Sequence, residues 1–187
     1  MEELSQHTRL GSLRQLTYNA CMQRTQFGDM ACSIARTLDV AGEPWSPLII
    51  RDVCWGPKRF DEIQRDLGIS RKVLTERLRW LVAQGVVEQR RYSERPLRHE
   101  YWLTQKGFEL ADVLLAIIAW GDRWTAGTAG PPVLFRHRGC GELTHAELRC
   151  AHCGDPLHAR DVDVEPGPGL DVQGDTYRDI AAELVPG

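Results

Sequence analysis

Residues 60–104 read FDEIQRDLGISRKVLTERLRWLVAQGVVEQRRYSERPLRHEYWLT. Phe60, Ile63 and Leu67 share one face at helical spacing, so this part predicts a short amphipathic helix. Gly68-Ile69 is a turn, and Ser70 suits the N-cap of a second helix. Leu74, Leu78, Leu81 and Val82 form that helix's expected buried stripe, and Gly85 ends it. A strand over residues 86–92, a turn at 93–96 and a return strand over 98–103 complete a hairpin. Helix, turn, capped helix, hairpin is the order of a winged helix-turn-helix. The expected fold class is mainly α with a small β-hairpin wing.

A helix lying in a major groove needs long polar side chains opposite its buried stripe. At about 100° per residue, Lys72, Glu76, Arg79, Trp80 and Ala83 lie opposite Leu74, Leu78 and Val82, with Thr75 flanking. Ser70 and Arg71 fall in the first turn, where free N–H groups and the helix dipole favour a phosphate. Arg and Lys pair with guanine O6 and N7, and Thr touches a thymine methyl. Arg77 adds charge to the helix, and Arg90, Arg91, Arg95 and Arg98 make the hairpin basic. Hairpin contacts of this kind position a protein on phosphates more than they read sequence. The candidate contacts to double-stranded DNA are therefore Ser70, Arg71, Lys72, Thr75, Arg77, Arg79, Arg90, Arg91, Arg95 and Arg98. The alternative is a solvated face whose arginines pair with Glu76, Glu88 and Glu94.

The net charge of −3 over 187 residues hides this basic region. Residues 71–98 carry eight basic and three acidic side chains, whereas residues 155–187 carry two basic and eight acidic ones. A phosphate backbone meets local charge, not the total. Composition is that of an ordinary globular chain, with 42% hydrophobic and 26% charged residues. The most apolar segment, 110–120, is too short to span a bilayer, and residues 1–10 lack the apolar core of a secretory signal. The expected location is cytoplasmic, without membrane contact. Phosphate-binding loops, dinucleotide fingerprints and nucleophile elbows are not found, so an enzyme is not expected.

Outward from the decisive stretch, residues 32–38 predict a helix, and Gly42-Glu43-Pro44 breaks it. Ser46 is placed as the cap of the next helix, with Pro47 at its first position. Leu48, Ile49, Val53 and Cys54 follow, ended by Gly56-Pro57. Thr104 caps a long helix with apolar residues at 110, 113, 114, 117 and 118, a face broader than a small domain needs. The expected organisation is an arm over 1–30, a DNA-binding and dimerisation domain over 31–125, a linker over 126–132, a Cys/His module over 133–164 and an acidic flexible tail over 165–187. Residues 1–21 are either an unstructured extension before Met22 or a short ordered arm. No internal repeat is evident.

The resemblance is to the HxlR-type winged-helix regulators of bacteria. It is carried by Cys32-Ser-Ile-Ala-Arg-Thr-Leu, Trp45-Ser-Pro-Leu-Ile-Ile-Arg-Asp, Gly56-Pro-Lys-Arg-Phe-Asp-Glu-Ile, Ile69-Ser-Arg-Lys-Val-Leu-Thr-Glu-Arg-Leu, Gly85-Val-Val-Glu and Tyr101-Trp-Leu-Thr-Gln-Lys-Gly. It covers about residues 32–125. It implies a transcriptional regulator, expected here to be a repressor, bound to operator DNA as a homodimer. In the family the N-terminal helix and the long helix, here around 105–124, make the dimer. A two-fold dimer implies an inverted-repeat operator. The resemblance also places Cys32 where some members sense oxidants, with Arg36 one turn on to favour a thiolate; the alternative is an inert, half-buried thiol. A small-molecule effector is a further possibility, with Trp45, Trp55, Trp120 and Trp124 as candidate walls.

Of six cysteines, three cluster at 140, 150 and 153. His137-Arg-Gly-Cys140-Gly and Cys150-Ala-His-Cys153-Gly are two knuckles, each with ligand-type residues three apart and a following glycine. Four N/S ligands suit a structural tetrahedral Zn2+ held by His137, Cys140, Cys150 and Cys153. His145, His152 and His158 compete for the histidine place. The alternative is a degenerate ribbon without metal, or a reducible Cys150–Cys153 pair.

Overall fold

The structure is a computed structural model that describes residues 27, 30, 32–165 and 167–169. The expectations for residues 1–21 and for most of the acidic tail lie outside the described residues. The chain divides into two units, Met1–Asp39 and Val40–Gly187. In the first, the Phe27 N–H donates to both carboxylate oxygens of Asp39, at 2.9 and 3.1 Å. Helix α1 (Ser33–Ala41) runs across the division, three residues further than its apolar pattern indicates.

In the second unit, α2 spans Trp45–Cys54. Ser46 does not cap it: the helix begins earlier, and Ser46 is fully buried in the first turn. Glu43 supplies the cap instead, accepting from the Trp45 N–H at 3.1 Å. Pro47 thus sits at the third helical position, where its missing N–H again costs no intrahelical bond. Lys58–Arg59 forms a short strand, β1, between the two helices, which no sequence pattern marks. Helix α3 (Phe60–Leu67) follows, closed by left-handed Gly68. Helix α4 (Arg71–Ala83) has Ser70 as its N-cap, the hydroxyl accepting from the Val73 N–H at 3.3 Å. A cap of this type stabilises a helix by about 1 kcal/mol.

Strands β2 (Val87–Glu94) and β3 (Leu97–Leu103) form the wing, joined through a cis Arg95–Pro96 peptide. The hairpin is longer, and its turn tighter, than its composition indicates. With β1 they make an antiparallel sheet of order β1-β3-β2. Thr104 caps α5 (Gln105–Thr125), accepting from the Gly107 N–H at 3.1 Å.

The core is one cluster. Ile49, Ile50 and Val53 of α2 meet Ile63, Leu74, Leu78 and Leu81 of the two-helix unit, Val86, Val87 and Leu103 of the wing base, and Ala111 and Leu114 of α5. Of the expected stripe, Leu74, Leu78 and Leu81 are buried, whereas Val82 is 38% exposed. Helix α5 is locked to the wing base by its first turn. Thr104 donates its hydroxyl to the Gly85 carbonyl at 2.7 Å, and a Cβ on Gly107 would lie 2.2 Å from the Val86 carbonyl oxygen.

Beyond α5, Gly127–Ala129 forms a 3-10 turn. Strands β4 (Phe135–Arg136) and β5 (Leu143–Thr144) make a small hairpin. Phe135 meets Trp55 edge to face, with ring centroids 6.0 Å apart.

Candidate nucleic-acid interface

Two apolar requirements set the reading surface. Leu74, Leu78 and Leu81 must face the core, which turns Arg71, Lys72, Glu76 and Arg79 outward on α4. The fully buried residues of the wing end at Val87 and Leu103; beyond them β2 is polar and mostly exposed, while β3 is half-buried from His99 to Trp102 and exposed only at Leu97 and Arg98.

The expected contacts do not all share one environment. Lys72 and Arg79 are exposed and make no ion pair among the described residues. Arg95 and Arg98, at the wing turn, are exposed and unpaired in the same sense. Arg71 lies over the Phe60 ring at 4.7 Å and 3.4 Å from Asp61, which steers its guanidinium from both sides. The Thr75 hydroxyl donates to the Arg71 carbonyl at 2.8 Å, leaving its methyl and oxygen lone pairs for a base edge. Ser70 is exposed while its oxygen caps the helix, so the first-turn N–H groups border solvent.

Besides Arg71, three of the candidate arginines are engaged within the protein. Arg77 turns inward: its side chain is 19% exposed and its Nε lies 3.6 Å from Glu43. It ties α4 to the cap of α2 and so stands apart from the basic face expected to include it. Arg90 is bound by Glu88 and lies 4.5 Å over the Trp102 ring, whose indole N–H donates to Glu100 at 2.9 Å. Its charge is matched by acids on its own sheet face. Arg91 is 3.7 Å from Glu94, both exposed, a pair that water and salt weaken.

Two further side chains belong to this surface. Glu76 is exposed among Lys72 and Arg79 and makes no ion pair among the described residues; a carboxylate there accepts from cytosine N4. Arg59 lies 4.6 Å over Tyr92 and braces the wing from β1. The signal for Glu76 was present, since it falls on the outward face; the signal for Arg59 was not, because β1 has only two residues. Lys58 donates to Asp66 at 2.9 Å, and that bond holds the Asp66 carboxyl below its ordinary range. Burial pushes the Tyr101 phenol up, against the opposing pull of Arg79.

The remaining candidates lie elsewhere. Cys32 is half-buried, its N–H donating to Met30 O at 2.7 Å; Arg36 Nε donates to the same carbonyl at 3.4 Å. Cys54 packs against the core, as expected, and burial raises its thiol, with Asp112 adding to the effect. A cavity of about 880 Å³ lies between α2, α5 and the start of the Cys/His module, walled by Trp55, Ile117, Ile118 and Phe135. Trp120 and Trp124 border a different, smaller one, and Trp45 packs on the core. His137 Nδ1 is 3.4 Å from Cys140 Sγ. The backbone N–H groups of Cys153 and His152, and the Cys153 thiol, draw the Cys150 thiol below its usual value.

A capped helix with an outward cationic face, followed by a basic three-stranded wing, defines the winged helix-turn-helix class of DNA-binding transcriptional regulators. Residues 40–128 match the family model described as HxlR-like helix-turn-helix. The chain is 43% identical over 138 residues to the HTH-type transcriptional regulator Rv3095 of Mycobacterium tuberculosis, covering 74% of this chain and 87% of that one. The chain belongs to the HxlR-like helix-turn-helix family. Its fold matches the crystal structure of the proposed transcription factor PA1607 with a TM-score of 0.68 and 36% identity, over 76% of this chain and all of the other. A structure of a second proposed transcription factor, PA1374 of Pseudomonas aeruginosa, gives 0.54 and 36% over 82% of this chain and all of the other. Among the described residues, no helix is long and apolar enough to cross a membrane.

Proposed function

We propose that the chain binds an inverted-repeat operator as a homodimer and represses the promoter beneath it. The observation that carries this reading is the placement of cations without internal partners: Lys72 and Arg79 on the outward face of α4, Arg95 and Arg98 at the wing turn. The helix pair reads base edges with Lys72, Thr75, Glu76 and Arg79. Ser70 and Arg71 hold a phosphate at the helix N-terminus, and the wing turn grips the neighbouring backbone.

The dimer is supported by α5. Val113, Ile117, Trp120 and Trp124 recur at spacings of four, three and four, and all are more than half exposed. This stripe is rotated by about 120° from the buried Ala111 and Leu114. Helix α5 therefore has one apolar face for its own core and another for a second copy. Repression follows from occupancy: a promoter covered by the dimer is closed to polymerase, which places the protein in the cytoplasm with the chromosome.

The deciding experiment is a gel shift and footprint on the DNA upstream of its own gene. Two protected half-sites centred about one helical turn apart are expected. Protection of a single half-site at saturating protein overturns the dimer reading, and loss of reporter expression on deleting the protein overturns repression. Control by oxidants through Cys32 is a separable proposal. It requires that oxidant-driven release from DNA disappears in Cys32→Ser; unchanged release removes it.

A further inference from the structure

The two knuckles after α5 repeat one another in backbone hydrogen bonds as well as in spacing. The His137 N–H donates to Glu142 O at 2.9 Å, and the Gly141 N–H donates to His137 O at 2.8 Å. Thirteen residues on, the Cys150 N–H donates to Asp155 O at 2.8 Å, and the Gly154 N–H to Cys150 O at 2.9 Å. Phe135 pairs with Thr144 in the first copy; the Leu157 N–H donates to Leu148 O in the second. Arg136 Nη1 donates to Gly141 O, and Arg149 Nη1 donates to Gly154 O at 3.1 Å. Gly141 and Gly154 share a left-handed backbone, with φ of 77° and 80°, which makes the turn possible. At this offset His137 corresponds to Cys150 and Cys140 to Cys153.

The first pair has the separation of two ligands on one ion. His137 Nδ1 and Cys140 Sγ are 3.4 Å apart. With Zn–N of about 2.0 Å and Zn–S of about 2.3 Å, the N···S edge of a tetrahedron is about 3.5 Å. In the second copy, Cys150 and Cys153 stand three residues apart on the equivalent hydrogen-bonded turn. The two pairs are not gathered together: among the described residues, no group of three or more His, Cys, Asp and Glu side chains is placed to hold a metal. The module also lacks a core of its own, since no side chain from 133 to 165 is buried. Below about 40 residues, a fold without disulfides generally needs a metal or an oligomer. Cys140, Cys150 and Cys153 are all free thiols.

We propose that one structural zinc ion joins the two copies through His137, Cys140, Cys150 and Cys153, and supplies the cohesion that burial does not. The duplication selects among the histidines. His137 stands at the position that Cys150 holds in the second copy, whereas His145 lies 3.6 Å from Glu147 and, like His152 and His158, has no cysteine at its counterpart.

The test uses the full chain, reduced, loaded with zinc and dialysed. Metal analysis is expected to return about one zinc per chain, and Cys140→Ser, Cys153→Ser and His137→Ala are each expected to return under about 0.2. His145→Ala, His152→Ala and His158→Ala are expected to keep the wild-type content. Cobalt in place of zinc is expected to show the intense visible bands of a tetrahedral thiolate site, weakened in His137→Ala. Helical circular dichroism from α1–α5 separates a lost ligand from a lost fold. Wild-type protein that retains under about 0.2 zinc per chain overturns the site. Retention by His137→Ala, with loss in another histidine variant, overturns the ligand set.

Discussion

At the scale of single residues, an arginine's role depends on what it already touches. Arg98 has no ion partner among the described residues, whereas Arg90 is bound to Glu88 and stacked on Trp102. In a dimer, Arg98→Ala removes one phosphate contact from each copy. The salt slope of DNA affinity, about −7 for eight contacts, is expected to become shallower by about 2. Arg90→Ala is expected to leave that slope nearly unchanged; binding measured from 50 to 200 mM salt, as is usual for such slopes, checks both. Local chemistry was legible in the sequence: Ser70 caps, Gly68 turns, and Lys72 and Arg79 face outward. The Arg77–Glu43 ion pair was not, because its partner lies on the far side of α2 and α3 in the chain, and no local pattern records the encounter.

At the scale of elements, helices with strong stop and start residues were readable, and pieces held by pairing alone were not. Phe60–Leu67 has a glycine stop and an apolar face of its own. Strand β1 exists because Lys58 and Arg59 find Tyr101 and Glu100 on β3. The two knuckles were legible as letters, each with ligand-type residues three apart and a following glycine; the backbone hydrogen bonds they repeat were not, because no side-chain pattern records them. Two glycines of α5 give opposite expectations. Gly107→Ala would press a Cβ onto the Val86 carbonyl, and is expected to destabilise by about 1–3 kcal/mol despite the gain in helix propensity. At Gly121 the nearest atom to a Cβ is Thr125 Oγ1 at 3.7 Å. Gly121→Ala is expected to stabilise by up to about 1 kcal/mol. Thermal or denaturant unfolding of the two variants reads the difference in sign.

At the scale of the whole molecule, the exposed stripe on α5 and the exposed cations on α4 are separate surfaces with a joint result. Trp120→Asp places a charge in the proposed contact between copies without touching the reader. It is expected to give a monomer in sedimentation and to reduce operator affinity by at least about 100-fold, since half of the DNA contacts are then lost. Unchanged affinity in a monomeric variant would show that one copy suffices. The reader was legible because helix periodicity and charge both mark it; the second face of α5 was legible only as an excess of apolar residues, and the exposures separated its two faces.

The close approach of Gly107 to Val86 has a mechanical consequence. Helix α5 cannot slide or roll at its first turn without driving its backbone into the wing base, so wing and helix form one lever. In a dimer joined along α5, the distance between two wings is then set by the angle at which two stiff levers cross. A signal arriving at that crossing reaches the DNA as a change of span, with the reading surface itself unaltered.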